Sequence, residues 1–450
     1  MREQLRAALV IVGLVGLSAH PAWAQEFAGR EQLRSHSQEF RKDVIRVTDG
    51  VYVAVGFSLG NAILIEGTDG LVIVDTLTSV NDARAVKEEF DKISRKPVRA
   101  IIYTHHHADH VGGASVFAGA DRPEIYAHAL LVPERANNLS NLGRAGRDGG
   151  NQFGGPLVPD TLHINNGVGP QLTVSGGGNG YLAPTRTFSG DETTITAAGI
   201  RMQLVHAPAE TNDAIYVWLP DKKVLLPGDT FYHAFPNLYA IRGTRLRPVD
   251  GWITSLEKLL AVQADFLIPS HTRPISGASA VRTALSAYHD GIKSVFDQTI
   301  AAMKEGLRPD ELVERVKLPQ ELSASPYLQE FYGTVSWSVR AIYTDYVGWF
   351  DGNATNLFPL SVKDRATAIL DLAGGPAPVV AKARAAFAQR QFQLAAELID
   401  YVLAVDPDNR DAKNLKAQAL SELGERQISA NARNFYLSSA QYLMRDNPAR

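Results

Sequence analysis

Six consecutive positions, His105-His106-His107-Ala108-Asp109-His110, carry four imidazoles and one carboxylate. The run follows an apolar, strand-like stretch, Val98 to Tyr103, and closes on Gly112-Gly113. Neutral imidazole and carboxylate are ordinary zinc ligands. In a turn leaving a strand, the alternate residues His105 and His107 face one point and hold one ion. Asp109 and His110 turn toward a second. Two ions so placed share and activate one water, which is hydrolase chemistry. His106 points the other way and is not expected to be a ligand. The same donor set also accepts manganese, iron or cobalt.

The elements that must hold this turn are readable around it. Val51–Val55, Ala62–Ile65 and Leu71–Asp75 read as hairpin strands, with a turn at Gly67-Thr68-Asp69-Gly70. Asn81–Ile93 has helical periodicity, and strand character returns at Thr193–Ile195, Met202–Val205, Ala214–Leu219 and Val224–Leu226. Strands alternating with helices indicate a layered α/β domain. Residues 140–180 are rich in Gly and Asn and read as a long loop capping the site. After about residue 285 the pattern is helical, beginning with Ala287–Glu305. Within it, Ala381–Leu423 resembles a tetratricopeptide helix-turn-helix around the Asp406-Pro407-Asp408-Asn409 break. A lone unit of that kind must bury its apolar face on its own domain or on a partner.

The motif His105-x-His107-x-Asp109-His110 resembles the metallo-β-lactamase signature. The resemblance implies an αββα sandwich with both metals at one edge, followed here by an all-α, tetratricopeptide-like domain. Three later positions at strand ends complete a ligand set: Glu210, Asp229 and His271. Most of that fold family has histidine where Glu210 stands. A carboxylate there, with Asp229 following, resembles the alkylsulfatase branch, in which a glutamate usually takes the Asp229 place. The expected assignment is two Zn2+ per chain: His105, His107 and Glu210 on the first, Asp109, His110 and His271 on the second, and Asp229 bridging.

The same resemblance extends to the substrate. Asn237-Leu238-Tyr239-x-x-Arg242-Gly243 is similar to the alkylsulfatase sulfate-binding segment. Arg offers a planar fork of donors to a tetrahedral oxyanion. His233 is a candidate proton donor or a further sulfate contact, grouped with Asp109 and Asp229 as catalytic. Tyr181 sits in a stretch similar to a family segment near the substrate. Arg144 and Arg147 complete an anion pocket or are simply solvated. Phe231, Tyr232 and Phe235 line an alkyl-binding wall or the core. The expected reaction is hydrolysis of alkyl, or aryl, sulfate esters, by attack at sulfur or at carbon. A β-lactamase, lactonase or phosphodiesterase is the alternative on the same centre.

Gly333-Thr334-Val335-Ser336, Gly348-Trp349-Phe350-Asp351-Gly352-Asn353 and Arg433-Asn434-Phe435-Tyr436-Leu437 resemble the family's helical dimerisation domain, which implies a homodimer. The family's C-terminal sterol-carrier-like domain is not expected after Arg450.

Composition narrows the rest. The chain has 450 residues, 45% of them hydrophobic, enough for two or three domains. A net charge of −3 gives no reason to expect nucleic acid. Without cysteine there is no thiolate nucleophile and no disulfide. Arg2 and Arg6, the apolar run Leu9–Leu17 and Ala22-Trp23-Ala24 read as a signal peptide over 1–24, with export to the periplasm or beyond. The expected domains are 25–284, catalytic, and 285–450, helical. Gly56-x-Ser58-x-Gly60 is set aside as a nucleophile elbow, because a strand and not a helix follows.

Overall fold

Side-chain alternation sorts the apolar residues of each strand onto two faces. In the computed structural model, Val51, Val53, Val55, Ile63, Ile65, Val72, Val74, Ala100 and Ile102 point inward and meet Met202, Leu204, Ile215, Val217, Leu219, Val224 and Leu226 from a second sheet. The structure describes residues 27–137, 143–155, 158–170 and 178–445, with backbone alone for 143–147. The expected leader, 1–24, lies outside the described residues.

The first sheet has seven strands in chain order: β1 (Asp43–Thr48), β2 (Val51–Val55), β3 (Ala62–Glu66), β4 (Leu71–Val74), β5 (Val98–Ile102), β6 (Glu124–His128) and β7 (Arg186–Phe188). It is antiparallel through β4 and parallel from β4 to β7. The second sheet comprises β8 (Glu192–Ala197), β9 (Ile200–His206), β10 (Ile215–Leu219), β11 (Val224–Leu226), β12 (Phe266–Leu267) and β13 (Ile275–Ser276), ordered β13-β12-β11-β10-β9-β8. The helices Val80–Ile93 and Ala114–Ala118 cover the outer face of the first sheet. The helices Val249–Ala261 and Ala278–Lys304 cover the second. This is the expected αββα sandwich.

Two boundaries differ from the sequence reading. The helix expected from Ala287 begins at Ala278 and runs unbroken to Lys304, so the 284/285 division falls inside one helix. Val281, Ala284 and Leu285 bury into the same core as Val295, Trp252 and Tyr216, which is why no break occurs there. The helix read from Asn81 starts one residue earlier, after Ser79, whose Oγ accepts from the Asp82 N–H.

The tetratricopeptide-like unit is present as the helices Pro376–Ala388, Phe392–Val405 and Arg410–Glu425. Asn409 caps the last of these through the Ala412 N–H. The unit buries its apolar face within its own chain, against Val362–Leu372 and Ala430–Met444. Among the described residues no helix is long and apolar enough to cross a membrane.

Candidate metal centre

Strand ends converge on one edge of the sandwich. β4 leads into Asp75, β5 into the 105–110 turn, β9 into the loop carrying Glu210, β11 into Asp229 and β12 into His271. Rigid elements hold such geometry better than loops do. The Gly pair after the motif is explained by close packing. A Cβ on Gly112 would meet the Thr78 carbonyl oxygen at 2.1 Å.

Two groups of ligand atoms face each other. His105, His107 and Asp229 form one; Asp109, His110 and His271 form the other. His105 Nε2 and His107 Nδ1 are 2.9 Å apart. Asp229 Oδ2 reaches both groups, lying 3.7 Å from His105 Nε2, 3.3 Å from His110 Nε2 and 3.1 Å from His271 Nε2. Asp109 Oδ2 is 3.5 Å from both His110 Nε2 and His271 Nε2. Glu210 stands at the edge of the first group, its Oε1 at 3.6 Å from His107 Nδ1.

Three atoms test whether a cation fits. His110 Nε2, Asp229 Oδ1 and Glu210 Oε2 are buried without a hydrogen-bond partner among the described residues. Buried polar atoms left unpaired are costly, and a cation between them removes that cost. Nitrogen and carboxylate oxygen donors in this number suit zinc and its neighbours.

The electrostatics describe a centre that holds protons where cations belong. Burial depresses His105 to about 4 and His107 well below the ordinary imidazole value, leaving lone pairs free. Burial also acts on His271, but the Asp229 carboxylate outweighs it and raises this imidazole to about 9. Burial would raise Asp229; the imidazoles of His110 and His271 overcome it and hold the carboxyl well below the usual range. An incoming dication must displace the His271 proton. Metal affinity of the metal-free protein is therefore expected to rise with pH up to about 9, with proton release on binding. Competition with a chelator at several pH values checks this; a flat profile contradicts it.

Three buried residues that the sequence reading missed hold side chains of this cluster in place, two of them expected ligands. Asp75 has φ 58° and is fully buried. Its Oδ2 lies 2.8 Å from His110 Nδ1 and accepts from Ser270 Oγ at 2.7 Å. Its Oδ1 accepts from the Thr104 N–H at 2.8 Å. This fixes the tautomer of His110 and aims Nε2 at the centre. The one signal in the sequence was an Asp closing an apolar strand. Asp213 Oδ1 holds His106 Nδ1 at 2.8 Å, and His106 lies outside both groups of ligand atoms.

Arg247 is the third. Its Nη2 donates to Glu210 Oε1 at 2.6 Å and its Nη1 to the Asn237 carbonyl at 2.5 Å. Burial pushes the Glu210 carboxyl up; Arg247 pulls it down, and Asp229 adds to the upward push. Arg247 thus occupies one Glu210 oxygen and leaves Oε2 free. Arg247→Met is expected to lower metal affinity and kcat/KM by about 10–100-fold, read by metal titration and kinetics. Unchanged affinity would mean that Glu210 needs no orienting partner.

The remaining expected site residues divide. Asn237 is 1% exposed, and both its amide atoms lack partners among the described residues. Arg242 Nη1 is likewise buried without a hydrogen-bond partner among them, and the charge of this guanidinium acts on both His107 and Glu210. Tyr239 is half-buried. Tyr181 stacks on Tyr103 and carries the Arg135 guanidinium over its ring at 4.1 Å. The side chains of Arg144 and Arg147 lie outside the described residues. A cleft of about 520 Å³ opens onto His107, Glu210, Thr244 and Arg247.

His233 lies outside the two ligand groups, with its Nδ1 3.0 Å from Glu39 and its ring packed on Phe231 and Tyr327. Phe231, Tyr232 and Phe235 are fully buried in the core and do not form a wall for substrate.

The fold and its two facing ligand groups define a metallo-β-lactamase-type metal-binding centre, and residues 55–271 match the metallo-beta-lactamase superfamily. Residues 308–446 match the alkyl sulfatase dimerisation family. The chain is 40% identical over 389 residues to a linear primary-alkylsulfatase from Pseudomonas sp., an alignment covering 84% of this chain and 73% of that one. It is 30% identical over 423 residues to an (R)-specific secondary-alkylsulfatase from Pseudomonas sp., covering 90% and 63%. The solved stereoselective inverting sec-alkylsulfatase Pisa1 from Pseudomonas sp. superposes with a TM-score of 0.84 at 28% identity, covering 91% of this chain and 66% of that one. The chain belongs to the alkylsulfatase family, sulfuric ester hydrolases of the metallo-β-lactamase superfamily.

Proposed function

We propose that this protein hydrolyses alkyl sulfate esters to alcohol and inorganic sulfate at a centre of two divalent cations, zinc first among them. The observation that carries the reading is the pair of facing ligand groups joined by Asp229, with an Asn237 amide and an Arg242 Nη1 that are buried without partners among the described residues. His105, His107 and Glu210 would hold one cation, Asp109, His110 and His271 the other, with Asp229 shared. Two cations there supply Lewis acidity and lower the pKa of water toward neutrality. Arg242 and Asn237 bind the sulfate and stabilise charge developing on it. Asp75 and Arg247 keep the ligands oriented. The buried walls exclude bulk water, which strengthens each of these interactions.

The test is sulfate release from a panel of short to long alkyl sulfates by metal-loaded protein, with a β-lactam and a lactone alongside. Sulfate release abolished by a chelator supports the reading. Ring opening without sulfate release overturns the substrate and keeps the centre.

We further propose that the protein is a homodimer joined through its helical region. Within the span matching the dimerisation family, Trp349, Phe358, Val362 and Leu372 are 73%, 96%, 78% and 90% exposed. Apolar side chains so exposed in one region mark an interaction surface. A Phe358→Asp, Leu372→Asp double variant is expected to sediment as monomer at micromolar concentration, where the parent is dimeric. A dimer in both would place the interface elsewhere. The leader 1–24 is proposed to direct export, and the catalytic unit is proposed to extend through Lys304. Terminal sequencing of the mature protein that finds Met1 intact would remove the export proposal.

A further inference from the structure

His271 faces the centre with Nε2 and the rest of the protein with Nδ1. Nδ1 lies 2.9 Å from the Leu59 carbonyl oxygen and 3.1 Å from that of Val168. One N–H shared between two carbonyls sets both the tautomer and the plane of the ring. Leu59 and Val168 are therefore part of how this ligand is aimed.

Val168 lies in a stretch, His163–Pro170, with no helix or strand of its own. Its amides wind it locally. Asn165 Oδ1 accepts from the Gly167 N–H at 2.8 Å, and the Asn166 N–H donates to the Gly169 carbonyl at 2.9 Å. The outer restraints come from the helix Ala430–Met444, at the far end of the sequence. Arg433 is 1% exposed, and its Nη2 donates to the Leu162 carbonyl at 2.9 Å and to Glu425 Oε1 at 2.8 Å. Asn434 Nδ2 lies 3.3 Å from both the Gln152 carbonyl and Asn166 Oδ1. Ser429 Oγ and Asn431 Nδ2 both donate to the Tyr332 carbonyl. The neighbouring Phe331 carbonyl lies so close to Gly167 that a Cβ there would sit 2.4 Å away. Burying Arg, Asn and Ser at one helix end costs desolvation that apolar side chains would avoid. A helix serving only to join subunits has no need of them.

We infer that the helix Ala430–Met444, through Arg433 and Asn434, is a positioning element of the metal centre, holding the Val168 carbonyl that orients His271. The dimerisation region is then required for the catalytic unit's second cation as well as for assembly. This rests on the reading of His271 as a ligand.

The experiment uses full-length protein with Asn434→Ala and Gly169→Ala. A Cβ on Gly169 would meet the Leu59 carbonyl oxygen at 2.5 Å, so this variant strains the carbonyl pair directly without touching the helix. Tyr436→Ala, on the face packed against Phe392 and Leu420, controls for lost stability alone. Zinc affinity is read by chelator competition, with sedimentation and kinetics in parallel. Both test variants are expected to lose affinity for one of two zinc ions by about tenfold or more. They should stay dimeric, with kcat falling and KM little changed, while Tyr436→Ala keeps both affinities within about twofold. Parental affinity at both sites in folded Asn434→Ala overturns the inference. If Asn434→Ala does not fold, parental affinity in Gly169→Ala overturns it alone. A parent protein that binds no zinc at all, by contrast, overturns the metal reading itself.

Discussion

Asp229→Ala is expected to reduce turnover of an alkyl sulfate by about a thousandfold, the scale on which loss of one transition-state stabiliser acts. The reason is its position. Its carboxylate lies within 3.7 Å of ligand nitrogens from both groups, on His105, His110 and His271. Removing it separates the two groups and leaves the buried imidazoles of His110 and His271 without the charge that faces them most directly. Metal content should fall from the two ions per chain proposed above to one or none at micromolar protein. Measuring bound metal together with kcat separates the alternatives. A variant that keeps two ions and near-parental kcat would show that Asp229 does not bridge.

Arg242→Ala is expected to lower kcat/KM for sulfate esters by about 10²–10³-fold while leaving metal content unchanged. Arg242 presents a buried, unpaired Nη1 toward a region where its charge is felt by His107 and Glu210, and Asn237 adds an amide with both atoms free. Donors left unsatisfied among the described residues are suited to receive an anion. Arg242→Lys should restore only part of the loss, because a point charge does not reproduce the planar fork. The same variant distinguishes substrate classes. Opening of a lactone or β-lactam should be little affected, since neither presents a tetrahedral oxyanion in the ground state. Sulfate-ester turnover that survives Arg242→Ala would move the anion site elsewhere in the cleft.

The clustering of ligand-type side chains was legible because its information is local. Five ligand-type residues fall within six positions, and Asp229 and His271 each close a short apolar run that reads as a strand. The residues that were missed are single polar side chains whose partners are far away in sequence. Asp75 and His110 are separated by 35 positions, Arg247 and Glu210 by 37, and His106 and Asp213 by 107. Their contacts exist only once distant strand ends and loops are brought side by side. The surroundings of His233 were hidden for the same reason. It sits four residues after Asp229, yet folding turns its ring onto Glu39 from the N-terminal segment.

By itself, the sequence determined the two-sheet architecture, a metal-compatible donor cluster and the family, since strand alternation, donor spacing and family-like segments are all short-range patterns. Tertiary structure decided which side of the core Phe231, Tyr232 and Phe235 occupy, because an aromatic residue fits either a substrate wall or a packed interior. It showed the helix Ala278–Lys304 to be continuous across residues 284 and 285, since burial against the second sheet and not local propensity sets where it begins. It also tied the last helix to the metal centre through Arg433, Asn434 and Val168. Hydrogen bonds across more than 260 positions, such as that from Arg433 to Leu162 at a separation of 271, leave no periodicity to read, because each depends on where two distant backbones come to lie.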